Sequence, residues 1–144
     1  MARAHWLVKS EPASYGWDRL VKDGRTVWDG VRNALARRNL DSMRPGDLVL
    51  YYHSNVGKEV VGIMEVIALA HADKTDDTGK WMCVDMRAVE PMPKPVTLLD
   101  VKANPKLAQM ALVKTSRLSV QPVTAAEWAE VCRMGGLKRA KKSK

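Results

Sequence analysis

Residues 48–72 read LVLYYHSNVGKEVVGIMEVIALAHA, and this stretch decides the fold. Leu48 to Ser54 is a short apolar and aromatic run that ends on polar residues, the pattern of a buried strand. NVGKE (55–59) supplies a turn, and from Val60 to about Leu69 β-branched residues dominate again. Two strands joined by a turn are therefore expected at the centre of the chain. Within the first of them, Tyr51 and Tyr52 are neighbours, so their side chains leave on opposite faces and only one can serve a given site.

Working outward, HWLVKS (5–10) reads as a first strand with a polar end, and SEPASYGW (10–17) as a turn in which Ser14 can cap the next helix. WDRLVKDG (17–24) gives that short helix, stopped at Gly24. TVWDG (26–30) is a short extended piece, and VRNALARRNLDSM (31–43) carries an uneven helical stripe with Arg37 and Arg38 on its outer face. Past the strand pair, DKTDDTG (73–79) is a polar loop. KWMCVDMRAVEPM (80–92) alternates as a long strand whose end Pro91, Pro93 and Pro95 are expected to punctuate. VTLLDVKANPKLAQMALV (96–113) suggests a short strand, a short helix and a turn near Asn104-Pro105, and RLSVQPV (117–123) a last strand. TAAEWAEVCRMGG (124–136) is a closing helix with Thr124 and Glu127 as a capping box and Gly135 as its stop. The sum is α+β: a mainly antiparallel sheet with flanking helices, for which a closed or half-closed small barrel is the economical arrangement.

At 144 residues the chain is expected to form one folded unit, residues 1–136, followed by a basic disordered tail, 137–144. No apolar run is long enough to span a membrane, and MARAHWLVKSEP lacks the form of a secretory signal, so a cytoplasmic protein is expected, or a nuclear one in a nucleated cell. Cys83 and Cys132 lie far apart in sequence and are read as buried free thiols. The formal net charge is +8 and the isoelectric point near 9.7, one footprint of a nucleic-acid binder. Five of these charges sit in the tail KRAKKSK (138–144), leaving +3 for the folded body. That tail suits a solvated end and a non-specific phosphate contact equally well.

The aromatic content is five Trp, three Tyr and no Phe. Every ring on the chain thus pairs a flat face with a hydrogen-bonding edge. The placement of one is unusual: in WDGVRN (28–33) Trp28 stands directly before an Asp29-Gly30 turn and an Arg-Asn pair. That context fits an aromatic at the mouth of a pocket better than one inside a periodic apolar run, although a core Trp beneath a loop remains open.

WLVKSEP..Y.W..L, then WDGVRN..AR..L..M..GD.VL.YHS, then VGI.EV, KW..VD and RLSV.PV....W come one after another in order from about residue 5 to residue 134. Together they resemble an EVE domain, of the PUA-like fold group that also contains the YTH readers of methylated RNA. Without a basic N-terminal extension, the chain looks more like the family's short bacterial members. The resemblance implies a PUA-like pseudo-barrel of strands with flanking helices. It also implies a pocket for a modified nucleobase, most plausibly methylated or oxidised cytosine in DNA, with modified adenine in RNA as a related theme. Lys9 and Ser10, Trp28 and its loop, and Tyr51 to Ser54 are the residues the resemblance brings to that pocket.

The residue types suit the task. A base taken out of its stack costs a few kcal/mol, and stacking on one aromatic returns about 1–3 kcal/mol. Trp28 is the candidate platform. Ser10, Asn33, His53 and Ser54, with the backbone at Asp29-Gly30, are candidates to inspect the base edge, Gly30 because it lets main chain approach closely. Asn33 reads equally well as a turn residue of the helix-capping kind, and Ser10 as a hydroxyl finishing a strand. Asp29 is read as a turn-former. Lys9, Arg32 and Arg117 are candidates for phosphate contacts, which position without specifying sequence; Arg32 fits a rim ion pair with Glu11 or Asp29 as well. Trp6, Trp17 and Trp128 read as structural, and Trp81 stays undecided between core and the loop 73–79. No cofactor, no metal and no catalytic residue is expected: His5, His53 and His71 have no metal-ligand spacing, and His53 and Ser54 point to opposite faces. The expected partner is nucleic acid and the expected state monomeric, beside an unknown partner enzyme. An RNA-binding module without modification preference and a binder of a free nucleoside-like ligand are the rival readings.

Overall fold

The computed structural model describes residues 4–11, 15–29, 31, 33–54, 57–115 and 117–137. Gly30, Arg32, Ser14 and the tail from residue 138, to all of which the sequence assigns roles, lie outside them. The chain runs β1 (His5–Ser10), α1 (Trp17–Asp23), β2 (Arg25–Trp28), α2 (Ala34–Ser42), β3 (Leu48–His53), β4 (Glu59–Val66), β5 (His71–Ala72) and β6 (Met82–Thr97). It continues as α3 (Leu98–Ala103), a 3-10 turn (Pro105–Leu107), α4 (Ala111–Lys114), β7 (Val120–Val123) and α5 (Ala125–Met134). The strands form one seven-stranded sheet in the order β2-β6-β4-β3-β1-β7, with β5 beside β6. All pairs are antiparallel except β1 with β3. The path does not close. Instead of a complete barrel, an open sheet leaves β2 and β7 as its ends.

Alternation along the two central strands divides the core. Trp6, Val8, Val49 and Tyr51 face one layer with Trp17, Leu20, Leu40 and Met64. Leu7, Leu50 and Tyr52 face the other, with Met92, Leu107, Trp128 and Val131. Strands buried on both faces explain why HWLV and LVLYY read as continuous apolar runs rather than alternating ones. Asp47, buried at the start of β3, is fully engaged: its carboxylate accepts the Trp6 indole N–H at 3.0 Å, the Ala4 amide at 3.1 Å and the Arg44 amide at 3.0 Å. Cys83 and Cys132 are buried free thiols.

Two elements differ from expectation. Pro91, Pro93 and Pro95 do not end β6, which runs sixteen residues through them. Past Ala88 the strand has only β4 as a paired neighbour, and its register slips between Gly62↔Pro91 and Val60↔Val96. A bulged strand with one free side is where proline's missing N–H is tolerated. The second helix begins at Ala34, not Val31, because Asn33 caps it by accepting the Ala36 amide at 2.9 Å. The closing helix has its capping box: Thr124 accepts from the Glu127 amide at 3.1 Å, and Glu127 from the Thr124 amide at 3.0 Å. Among the described residues no helix is long and apolar enough to cross a membrane.

Candidate nucleic-acid interface

On the Trp28 side, a cavity of about 230 Å³ is lined by Ser10, Tyr15, Thr26, Val27, Trp28 and Asp29. It is smaller than the roughly 300–1,000 Å³ of pockets for drug-sized ligands, and suited to one flat ring. Its walls come from β1, the turn after it and the edge strand β2. Trp28 is partly buried, packs against the core and lines the hollow. The indole is a wall of the cavity and is not sealed in the interior.

Beneath it lies an aromatic hub. Tyr51, completely buried, meets Trp17, Trp28 and His53 edge-on with ring centroids 5.5, 5.6 and 5.7 Å away. Edge-to-face contacts of this kind add about 0.5–1.5 kcal/mol each beyond burial. Trp17 lies flat against β4 because Gly62 has no side chain: a Cβ there would sit 2.4 Å from the indole. Gly62 thus admits Trp17, Trp17 braces Tyr51, and Tyr51 braces Trp28.

The Tyr15 carbonyl ties the hub to the cavity. It accepts the Ser10 hydroxyl at 2.8 Å and also the Tyr51 hydroxyl. Burial pushes the Tyr51 phenol up to about 12, so it stays protonated and donating. The Tyr15 phenol donates to Asp23 at 2.8 Å and carries the Arg19 guanidinium 5.3 Å above its ring. Burial first, and then the Asp23 carboxylate, raise its pKa, while a hydrogen bond from Thr26 opposes them.

The other residues singled out in the sequence spread more widely. Lys9 leaves β1 on the face opposite Ser10 and stands 5.7 Å over the ring of Tyr52, where burial lowers its pKa. Tyr52 is on that same face. His53 shares the cavity side, but its Nε2 accepts the Trp17 amide at 3.0 Å, satisfying the exposed start of α1, which Gly16 precedes without a side-chain cap. Ser54 adds a backbone bond to Ser10 O at 2.9 Å. Asn33 is spent as a helix cap. Arg117 is exposed in the turn before β7, close along the chain to Ser119, whose carbonyl accepts the Lys9 amide. Trp6, Trp17 and Trp128 are core. The structure therefore brings Ser10 and Trp28 together over Tyr51, and sends Lys9 and Asn33 elsewhere. Tyr15, Thr26 and Val27 line the cavity without having been singled out as site residues, and Asp29, expected there only through its backbone, lines it too.

Two of the three acid groups of loop 73–79 are taken up by nearby N–H and O–H groups. Buried Asp73 accepts the Thr75 amide at 2.7 Å and the Thr75 hydroxyl at 2.5 Å. Asp76 accepts the amides of Thr78, Lys80 and Trp81. Against a burial effect that acts upward, those bonds hold Asp76 down to about 2. Trp81 is fixed by its amide on this turn and is not a member of the cavity lining.

An open, mostly antiparallel α+β sheet with an aromatic cavity between its edge strand and the turn after β1 is the class these features define. The EVE domain model matches residues 4–134, and the chain belongs to that family. A protein from Agrobacterium tumefaciens of known crystal structure is 54% identical, with TM-score 0.93 over 98% of this chain and 99% of that one. A protein from Rhodopseudomonas palustris solved by NMR is 56% identical, with TM-score 0.90 over 95% and 96%. Human thymocyte nuclear protein 1 is 31% identical over 87% of this chain and 71% of its own length. That human protein has been crystallised in complex with DNA containing 5-methylcytosine; its structure superposes with TM-score 0.83 and 30% identity, covering 92% of this chain and 97% of that one.

Proposed function

We propose that this chain is a binding module for DNA carrying 5-methylcytosine, and that the modified base turns out of the strand into the cavity walled by Trp28. The observation that carries the reading is the state of that indole: partly buried, packed against the core, and lining a hollow of about 230 Å³. The crystallised complex of the human relative with 5-methylcytosine DNA supports it. In this reading Trp28 stacks on the base, Ser10 and Thr26 meet its polar edge, and Tyr51 keeps the platform rigid. Arg19 above Tyr15, with Arg117 and Arg32, are the proposed partners for flanking phosphates. In this reading the module binds and does not convert; His53, on the cavity side of β3, is committed to the Trp17 amide.

A methyl group gives only about tenfold to two-hundredfold discrimination by packing. The test is a binding panel at fixed salt in which matched DNA and RNA oligomers differ by one methyl. The expected result is tighter binding of methylated DNA, with Trp28→Ala erasing the difference. Equal affinity for both members of every pair, with a steep salt dependence, would support a general RNA or DNA binder. Capture of the free nucleoside as tightly as the oligomer would point to a small-ligand binder.

A further inference from the structure

Stacking on Trp28 and packing around a methyl cannot complete the recognition of 5-methylcytosine, because thymine carries the same methyl on the same ring position. The two bases differ at position 4, an amino group in one and a carbonyl in the other, and at the protonation of the adjacent nitrogen. Discrimination between them has to come from hydrogen-bond polarity in the lining.

The polarity of the lining is set by chemistry alone. A carbonyl has no hydrogen to give, so the Ser10 hydroxyl, 2.8 Å from Tyr15 O, must donate its proton there. The Tyr51 hydroxyl must do the same, which fills both lone pairs of that carbonyl. The Tyr15 phenol must donate to the Asp23 carboxylate. Its oxygen is then left as an acceptor beside the Thr26 hydroxyl. Among the described lining residues, the Ser10 and Tyr15 hydroxyl protons are therefore spent away from the ligand. Ser10 and Thr26 present lone pairs, and the exposed Asp29 carboxylate at the lip accepts only.

Main chain also faces the cavity. The Ala88 amide reaches Gly24 O at 3.1 Å, so the even-numbered residues of β6 face β2. The Ile67 amide bonds Asp85 O on the opposite side. Val27, opposite Asp85, then turns its N–H and C=O to the open edge of the sheet, where it lines the cavity. Among the described lining residues, the side-chain oxygens of Ser10, Thr26 and Asp29 offer lone pairs, while the donors are the peptide N–H groups at Val27 and Asp29 and the Trp28 indole N–H. An amino-bearing pyrimidine edge, two N–H groups beside ring acceptors, matches that set. The keto edge of thymine places an oxygen lone pair against the side-chain acceptors, a mismatch that weakens binding.

We propose that the cavity selects the 4-amino edge of 5-methylcytosine over the 4-keto edge of thymine through acceptors on Ser10, Thr26 and Asp29. This rests on the reading of the cavity as a modified-base site, and the experiment separates the two. Four single-stranded DNA oligomers, identical except for cytosine, 5-methylcytosine, uracil or thymine at one central position, are titrated against the full chain at fixed salt. The expected order places 5-methylcytosine first, with thymine weaker by at least about tenfold, as for a site built around a hydrogen-bonding group. Thymine equal to 5-methylcytosine, with both above cytosine and uracil, overturns the proposal and leaves the methyl reading intact. Cytosine equal to 5-methylcytosine, with both above thymine and uracil, supports the amine selection and overturns the methyl reading. Equal affinity for all four overturns both.

Two variants assign the selection to side chains. Asp29→Asn keeps the size of an exposed residue and adds a donor at the lip, and Ser10→Ala removes one acceptor. Each is expected to narrow the ratio of 5-methylcytosine to thymine affinity several-fold, with thermal unfolding recorded to confirm that the variants fold. An unchanged ratio in both folded variants overturns the assignment.

Discussion

Trp28 and Trp128 carry the same ring, and the sheet gives them opposite fates. Trp128 lies on α5 under a capping box, 2% exposed, among Leu50, Val123 and Val131, with the His5 ring 4.7 Å away. Trp28 ends the edge strand β2, which among the described residues no further strand covers. One indole closes a layer of the core. The other is held in place by the core and left facing a hollow. The difference teaches that an aromatic becomes available for binding by where its strand sits in the sheet, and that it stays rigid only if something beneath it is packed.

The strongest way to break the comparison is to delete each ring. Trp128→Ala empties a fully buried volume and should cost about 3–5 kcal/mol in a denaturant titration, enough to threaten folding. Trp28→Ala removes a partly buried ring from an edge and should cost less, roughly 1–2 kcal/mol. Its larger effect should appear in oligomer binding. Equal stability losses in the two variants would mean that Trp28 is a core residue after all.

Next in size is Gly62→Ala. The added methyl would overlap the Trp17 indole, and forcing extra volume into a packed layer costs typically about 1–3 kcal/mol. Because Trp17 braces Tyr51 and Tyr51 braces Trp28, this variant should also weaken binding although residue 62 lines no part of the cavity. Loss of stability with binding intact would show that the hub does not support the platform. Smaller again is Tyr51→Phe, which keeps the ring and removes the hydroxyl on Tyr15 O. A cost of about 1 kcal/mol is expected from equilibrium unfolding.

Much of this was legible in the residues. The strand pair from Leu48 to Val66 follows from its apolar runs, and the capping box at Thr124 and Glu127 from its spacing. Trp28 was legible because turn chemistry comes directly after it. Lys9 and Ser10 show what a shared motif conceals: they leave the strand on opposite faces, Ser10 lining the cavity and Lys9 standing over Tyr52. Tyr15 escaped for a different reason. Part of its role is played by its backbone carbonyl, which no pattern of side-chain types reveals, although a Tyr in the turn SEPASYGW was visible. Gly62 had a signal, a glycine interrupting the apolar run VVGIM, which marks close approach of a neighbour. The prolines of β6 misled because their tolerance depends on which side of the strand is unpaired, a fact of topology that exists only once the sheet is assembled.

The smallest expected effect concerns the brace itself, and its sign is set by His53. In the folded chain the imidazole Nε2 accepts the Trp17 amide, which requires the neutral ring. Burial lowers the pKa below the ordinary 6.5, with Glu59 and Asp18 partly opposing it. The unfolded chain therefore takes up this proton more readily than the folded one. The contribution of His53 to stability is fully present above about pH 6.5 and declines as pH falls through the lowered folded value. Protonation also turns the acceptor into a donor facing an N–H, so the start of α1 should loosen first, and with it Trp17 and the floor under Trp28. His53→Gln offers an acceptor that does not titrate. Unfolding free energies of parent and variant, compared from about pH 7.5 to about pH 5, should diverge below about 6.5 with the parent losing more, while amide exchange at Trp17 quickens only in the parent. Parallel curves for the two proteins would mean that the imidazole does not hold the helix start, and the brace beneath Trp28 would have to depend on Tyr51 and Gly62 alone.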